Sequence, residues 1–106
     1  MALRVNEVNF EDNVLKETKP VLVEFYSDSC IPCKQMAGIL GDLEEDLEDK
    51  VAVCKVNVTY DEKLVSKYQV MSSPTTLVFY EGLEKARVTG IVKKDKLIEL
   101  VTAYIK

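Results

Sequence analysis

The stretch that most limits what this chain can become is Tyr26-Ser27-Asp28-Ser29-Cys30-Ile31-Pro32-Cys33-Lys34. It is a C-x-x-C pair with an apolar run, Val21-Leu22-Val23-Glu24-Phe25-Tyr26, leading in. Met36, Ile39, Leu40, Leu43 and Leu47 lead out at helical spacing. The layout predicts strand, short loop and helix, with Cys30 at the helix start. Unpaired N–H groups and the positive end of the helix dipole favour an anion there. That anion is a thiolate, the reactive form of cysteine. Pro32 suits a first helical turn because it has no N–H to lose. Cys33 is near enough in sequence to attack a disulfide formed at Cys30, so the segment is a dithiol laid out for exchange.

Bulk properties narrow the class. A chain of 106 residues is enough for one domain, 1–106, with one core, and 47% hydrophobic residues argue against disorder. A net charge of −4 argues against nucleic acid, which needs a basic patch. Residues 1–10 hold no apolar signal core, and no later run is long enough to span a bilayer. The expectation is a soluble cytoplasmic protein, a setting where stable structural disulfides are rare. Of three cysteines, Cys54 is left over from the pair, and the absence of histidine removes the commonest metal ligand and general base together. No glycine-rich nucleotide fingerprint is present, so no bound cofactor is expected.

In chain order, Leu3-Arg4-Val5 reads as a short strand. Asn6 or Asn9 can cap a helix burying Phe10, Val14 and Leu15, which Lys19-Pro20 ends. Val21 to Tyr26 is apolar on both faces except at Glu24, as in strands covered on both sides. A long helix is predicted from about Cys33 to Leu47, with acidic residues on its solvated side and Gly38 and Gly41 inside it. Val51 to Val58 is the next buried strand, and Asp61 can cap a short helix over Glu62 to Tyr68. Thr75 to Tyr80 and Lys85 to Thr89 form a hairpin around Glu81-Gly82, Gly90 closes it, and a helix follows from about Lys93. The expected order is β-α-β-α-β-α-β-β-α: an α/β fold with parallel strands first, an antiparallel hairpin last, and helices on both faces.

That order, with C-x-x-C at the start of the second helix, resembles the thioredoxin family over nearly the whole chain. Val21 to Tyr26 resembles the family's central strand, and Cys30-Ile31-Pro32-Cys33-Lys34 its active-site loop. Lys55-Val56-Asn57-Val58 matches the strand beside it; Ser73-Pro74-Thr75 and Phe79-Tyr80-Glu81-Gly82 match the cis-proline and hairpin, and Gly90 a glycine near the active-site surface. The resemblance implies a thioredoxin fold, a mixed sheet of four to five strands. Five positions depart from the family pattern: Ser29 for tryptophan, Ile31 for glycine, Glu24 for aspartate, Gly38 for a helix proline, and Ser73 for a β-branched apolar residue. A Cys-hydrophobic-Pro-Cys motif without the tryptophan resembles divergent thioredoxins of some anaerobic bacteria.

By that resemblance Cys30 is the attacking thiolate, Cys33 the buried resolving thiol, Glu24 the proton acceptor for Cys33, and Lys55 the partner of Glu24. Burial within an apolar strand favours the protonated form of Glu24. Ser29, Ile31, Pro32, Ser73, Pro74 and Gly90 form the substrate-binding surface, with the Ser73 backbone pairing an extended client segment. Cys54 alternates with Ala52, Val56 and Val58 and is expected to be a core cysteine. The implied function is reduction of protein disulfides by a monomer. Its partners are a thioredoxin reductase or equivalent donor and disulfide-containing client proteins; the site holds no metal. Two rivals remain: a thioredoxin-like binding module or electron donor to one dedicated enzyme, and a metal or iron–sulfur carrier using the pair across a dimer. Failure of the reduced protein to reduce any disulfide favours a non-catalytic module, and metal analysis with an absorption spectrum tests the carrier.

Overall fold

The computed structural model describes residues 2–105; Met1 and Lys106 of the expected domain lie outside the described residues. Among the described residues five strands form one sheet in the order β1-β3-β2-β4-β5: β1 Leu3–Arg4, β2 Val21–Tyr26, β3 Ala52–Asn57, β4 Thr75–Tyr80 and β5 Leu83–Thr89. β1, β3 and β2 run parallel, β4 is antiparallel to β2, and β5 is antiparallel to β4. Among the same described residues three α-helices cover the sheet: α1 Ile31–Leu47, α2 Glu62–Lys67 and α3 Lys94–Thr102.

The alternation of β2 explains its central place. Val21, Val23 and Phe25 point into a cluster with Phe10, Val14, Leu77 and Phe79 on one face. Leu22 points to the other face, where Met36, Leu40 and Leu43 of α1 meet Leu97 and Val101 of α3. A strand with two buried faces must be apolar at nearly every position, and Val21 through Phe25 are all buried, Glu24 included. On the first face, Phe10, Tyr68 and Phe79 add an aromatic trio with centroids 5.2–5.6 Å apart.

Three local expectations change. The first expected helix is one π turn, Glu11–Leu15, closed by the Lys16 N–H donating to the Glu11 carbonyl. Few apolar residues are available to anchor a longer helix before Pro20 and the start of β2. Asn6 and Asn9 cap each other instead: Asn6 Oδ1 accepts from the Val8 and Asn9 N–H groups, and Asn9 Oδ1 accepts from the Asn6 N–H. Asp61 flanks α2 without a side-chain cap; its carbonyl accepts from Leu64 and Val65. The hairpin strand begins at Leu83, two residues before the expected Lys85. Arg87 on that strand joins Glu84 at 2.6 and 2.8 Å and donates to the Tyr68 carbonyl at 2.7 Å, tying β5 to the end of α2.

Candidate active site

α1 begins at Ile31, earlier than the pattern of apolar residues indicates, because Cys30 is its N-cap. The Cys30 backbone is extended, and its sulfur accepts from the Cys33 N–H at 3.1 Å, taking the place an oxygen usually holds in a cap. Pro32 lies in the first turn, where no donor is lost. Cys30 and Cys33 form a disulfide with their Cα atoms 5.2 Å apart. The two sulfurs differ in access: Cys30 is partly exposed and Cys33 is buried. An incoming group therefore meets Cys30 first.

The chain crosses Cys30 again at the loop before β4. The Ser73–Pro74 peptide bond is cis, and the Ser73 carbonyl oxygen lies 3.7 Å from Cys30 Sγ. In the disulfide no S–H proton exists, so this is a contact rather than a hydrogen bond. Gly90, at φ 78°, donates its N–H to the Pro74 carbonyl and brings the end of β5 to the same loop. A side chain there would be strained in the left-handed region, which explains glycine. Ser29 and Ile31 are exposed, Ile31 at 68%. Met71 and Ile91, which sequence reasoning did not single out, are exposed at 92% and 47% and bracket the Ser73–Pro74 and Gly90 segments in the chain. Only their position beside matched motif residues could have marked them.

Behind Cys33 lies a cavity of about 180 Å³ whose lining includes Glu24, Tyr26, Asp28, Lys34 and Lys55. Glu24 and Lys55 are register partners on β2 and β3, with no ion pair between them among the described residues. The Lys55 ammonium sits 5.6 Å from the Tyr26 ring centroid. Burial pushes the Glu24 carboxyl up from 4.5 to about 7, and the Lys55 charge pulls the other way. Asn57, fully buried, donates to Asp28 at 3.3 Å and accepts from the Thr59 N–H, joining the loop before Cys30 to the loop after β3. A carboxyl that titrates near neutrality beside a buried sulfur can hold or release a proton under ordinary conditions.

The thioredoxin family model matches residues 1–103. A thioredoxin of Rickettsia bellii is 39% identical over 105 residues, covering 99% of this chain and all of that protein. The chain belongs to the thioredoxin family. A thioredoxin of Rhodospirillum rubrum is 38% identical, over 96% of this chain and 98% of that protein. A chloroplastic M-type thioredoxin of Zea mays is 37% identical over 94% of this chain and 60% of its own length. The mixed five-stranded sheet with helices on both faces is the thioredoxin architecture, and Cys30-Ile31-Pro32-Cys33 is its active-site disulfide. With that disulfide in place, the chain is a thioredoxin-type protein fitted for thiol–disulfide exchange.

Cys54, the third cysteine, is buried in the cluster with Val5, Val23 and Val56, on the sheet face away from α1. Burial, helped by the negative charges of Glu17 and Glu44, pushes its thiol up to about 11. A sealed thiol that stays protonated is a poor nucleophile. Alkylation of the native oxidised protein is expected to leave Cys54 unmodified until denaturant is added. Mass spectrometry would expose the opposite case as rapid labelling in native buffer.

Proposed function

We propose that this chain is a protein-disulfide reductase acting as a monomeric electron carrier in the cytoplasm, through its 1–106 unit, between a thioredoxin reductase or equivalent donor and disulfide-containing clients. The observation that carries the reading is the asymmetry of the pair: a partly exposed Cys30 at the start of α1 and a buried Cys33 beside the Glu24 cavity. In the reduced protein, the Cys30 thiolate attacks a client disulfide. A Cys30–client bond forms, and the client's other sulfur leaves with the electron pair. Glu24 takes the Cys33 proton; the Cys33 thiolate then attacks Cys30, forming the intramolecular disulfide and expelling the second client thiolate. That thiolate is protonated by Glu24 or solvent. Two electrons move from the dithiol to the client, and the donor restores them. Lys55 steadies the Glu24 carboxylate, while Ser29, Ile31, Pro32, Ser73, Pro74 and Gly90 face the client. Among the described residues no helix is long and apolar enough to cross a membrane.

The direct test mixes reduced protein with a disulfide client and follows thiol release. Wild type should reduce it, and Cys30→Ser should not; a wild type unable to reduce any disulfide would leave only a docking module. The exposed Ser29 and Ile31 favour a narrow client range, because tryptophan at position 29 would supply a broad aromatic platform. We expect slow insulin reduction and poor use by the reductase of a standard thioredoxin system, both improved by Ser29→Trp with Ile31→Gly. Insulin turnover equal to that of an ordinary thioredoxin would show these substitutions to be neutral.

A further inference from the structure

The ladder between β2 and β4 changes character at one rung. Leu22 opposes Val78, and both lie in the apolar cluster beneath α1 and α3. The next rung on that face is Glu24 opposite Thr76. Both residues are buried, at 3% and 1% exposure. Each also holds a polar atom sealed from solvent without a hydrogen-bond partner among the described residues: Oε2 of Glu24 and Oγ1 of Thr76. Buried polar groups are overwhelmingly paired, so two orphans facing each other across one rung require an explanation. Cβ atoms on opposed positions of an antiparallel pair lie roughly 4.5–5.5 Å apart, within reach of a hydroxyl and a carboxyl.

We propose that Thr76 is a positioning residue for Glu24, its hydroxyl acting as the hydrogen-bond partner of the carboxylate when that group is ionised. Rotation of the threonine side chain turns Oγ1 toward Oε2. A hydroxyl suits this task because it can donate to the anion and accept from the neutral acid. The bond to the anion is the stronger of the two, so its net effect favours ionisation. The other groups facing Glu24 are distributed differently. Lys55 approaches from β3, Cys33 and Lys34 from α1, and Tyr26 and Asp28 from the end of β2 and its loop, while α3 presents apolar Leu97 and Val101 to this face. On the β4 side, Thr76 is the polar group available to the sealed oxygen. The proposal rests on the reading of Glu24 as proton acceptor and adds the residue that sets how readily it releases its proton.

The test titrates the Glu24 carboxyl carbon by NMR in oxidised wild type, Thr76→Val and Thr76→Ser. Valine keeps the shape and strand preference while removing the hydroxyl; serine keeps the hydroxyl. Thr76→Val should raise the Glu24 midpoint by about one pH unit, a tenfold gain in proton affinity, and Thr76→Ser should restore it to within a few tenths. Release of a client mixed disulfide should slow in Thr76→Val near neutrality and converge on wild type at high pH, where both carboxyls are ionised. An unchanged midpoint in Thr76→Val overturns the proposal even if stability rises, since relieving an unpaired hydroxyl would then be the whole effect. Failure of serine to restore the midpoint overturns it also. A release rate indifferent to Glu24→Gln, with the midpoint shift intact, overturns the proton-acceptor reading and leaves the Thr76 contact standing.

Discussion

Cys33→Ser should abolish turnover and accumulate client proteins as mixed disulfides through Cys30. The first exchange needs only the sulfur at the start of α1, which is partly exposed and held beside the Ser73 carbonyl. The second needs a thiolate at position 33, and serine at that buried site supplies none. Trapped species should run as higher bands on non-reducing gels and collapse on reduction. The single variant Cys30→Ser should trap nothing; capture by that variant would reverse the two roles.

Glu24→Gln should have two effects separable by pH. An amide cannot accept the Cys33 proton, so single-turnover release should slow on the order of a hundredfold near neutrality. Rates unchanged from about pH 6 to about pH 9 would reduce Glu24 to a structural residue. The second effect concerns stability of the oxidised protein. Below pH 4.5 both folded and unfolded chains hold the proton. As pH rises from 4.5 to about 7, the unfolded chain releases it first and the folded state loses ground, reaching a full cost of roughly 3 kcal/mol above that range. Glutamine has no such slope. Urea unfolding should therefore show the variant gaining on wild type between those pH values and holding a constant difference above them. A pH-independent difference would mean that burial does not raise the Glu24 carboxyl.

The local segments were legible because their signals are local. Val21 to Tyr26 is apolar on both faces, and Met36, Leu40 and Leu43 repeat at helical spacing, so β2 and α1 follow from composition and period. The buried place of Cys54 followed from alternation with Val56. What escaped was long-range or unusual in chemistry. The helix start at Cys30, with Pro32 in the first turn, was legible, but the Cys30 sulfur accepting the Cys33 N–H was not, since capping rules are built on oxygen side chains. The pairing of Asn57 with Asp28, and of Glu24 with Thr76, depends on how strands distant in sequence come into register. Thr76 reads along the chain as an ordinary strand residue, and only the antiparallel ladder gives it a carboxylate for a neighbour.

The two ends of the sheet bear on what the protein avoids. Among the described residues the β1 ladder with β3 is two residues long, Leu3 and Arg4, and β5 sets Glu84, Lys85 and Arg87 along its course. Long, flat, apolar strand borders invite another chain to extend the sheet; a two-residue border offers little to grip, and charges interrupt the other. Borders of this kind discourage a second chain from growing onto the sheet at either end, so the short β1 and the charged β5 act as guards against fibre-like stacking.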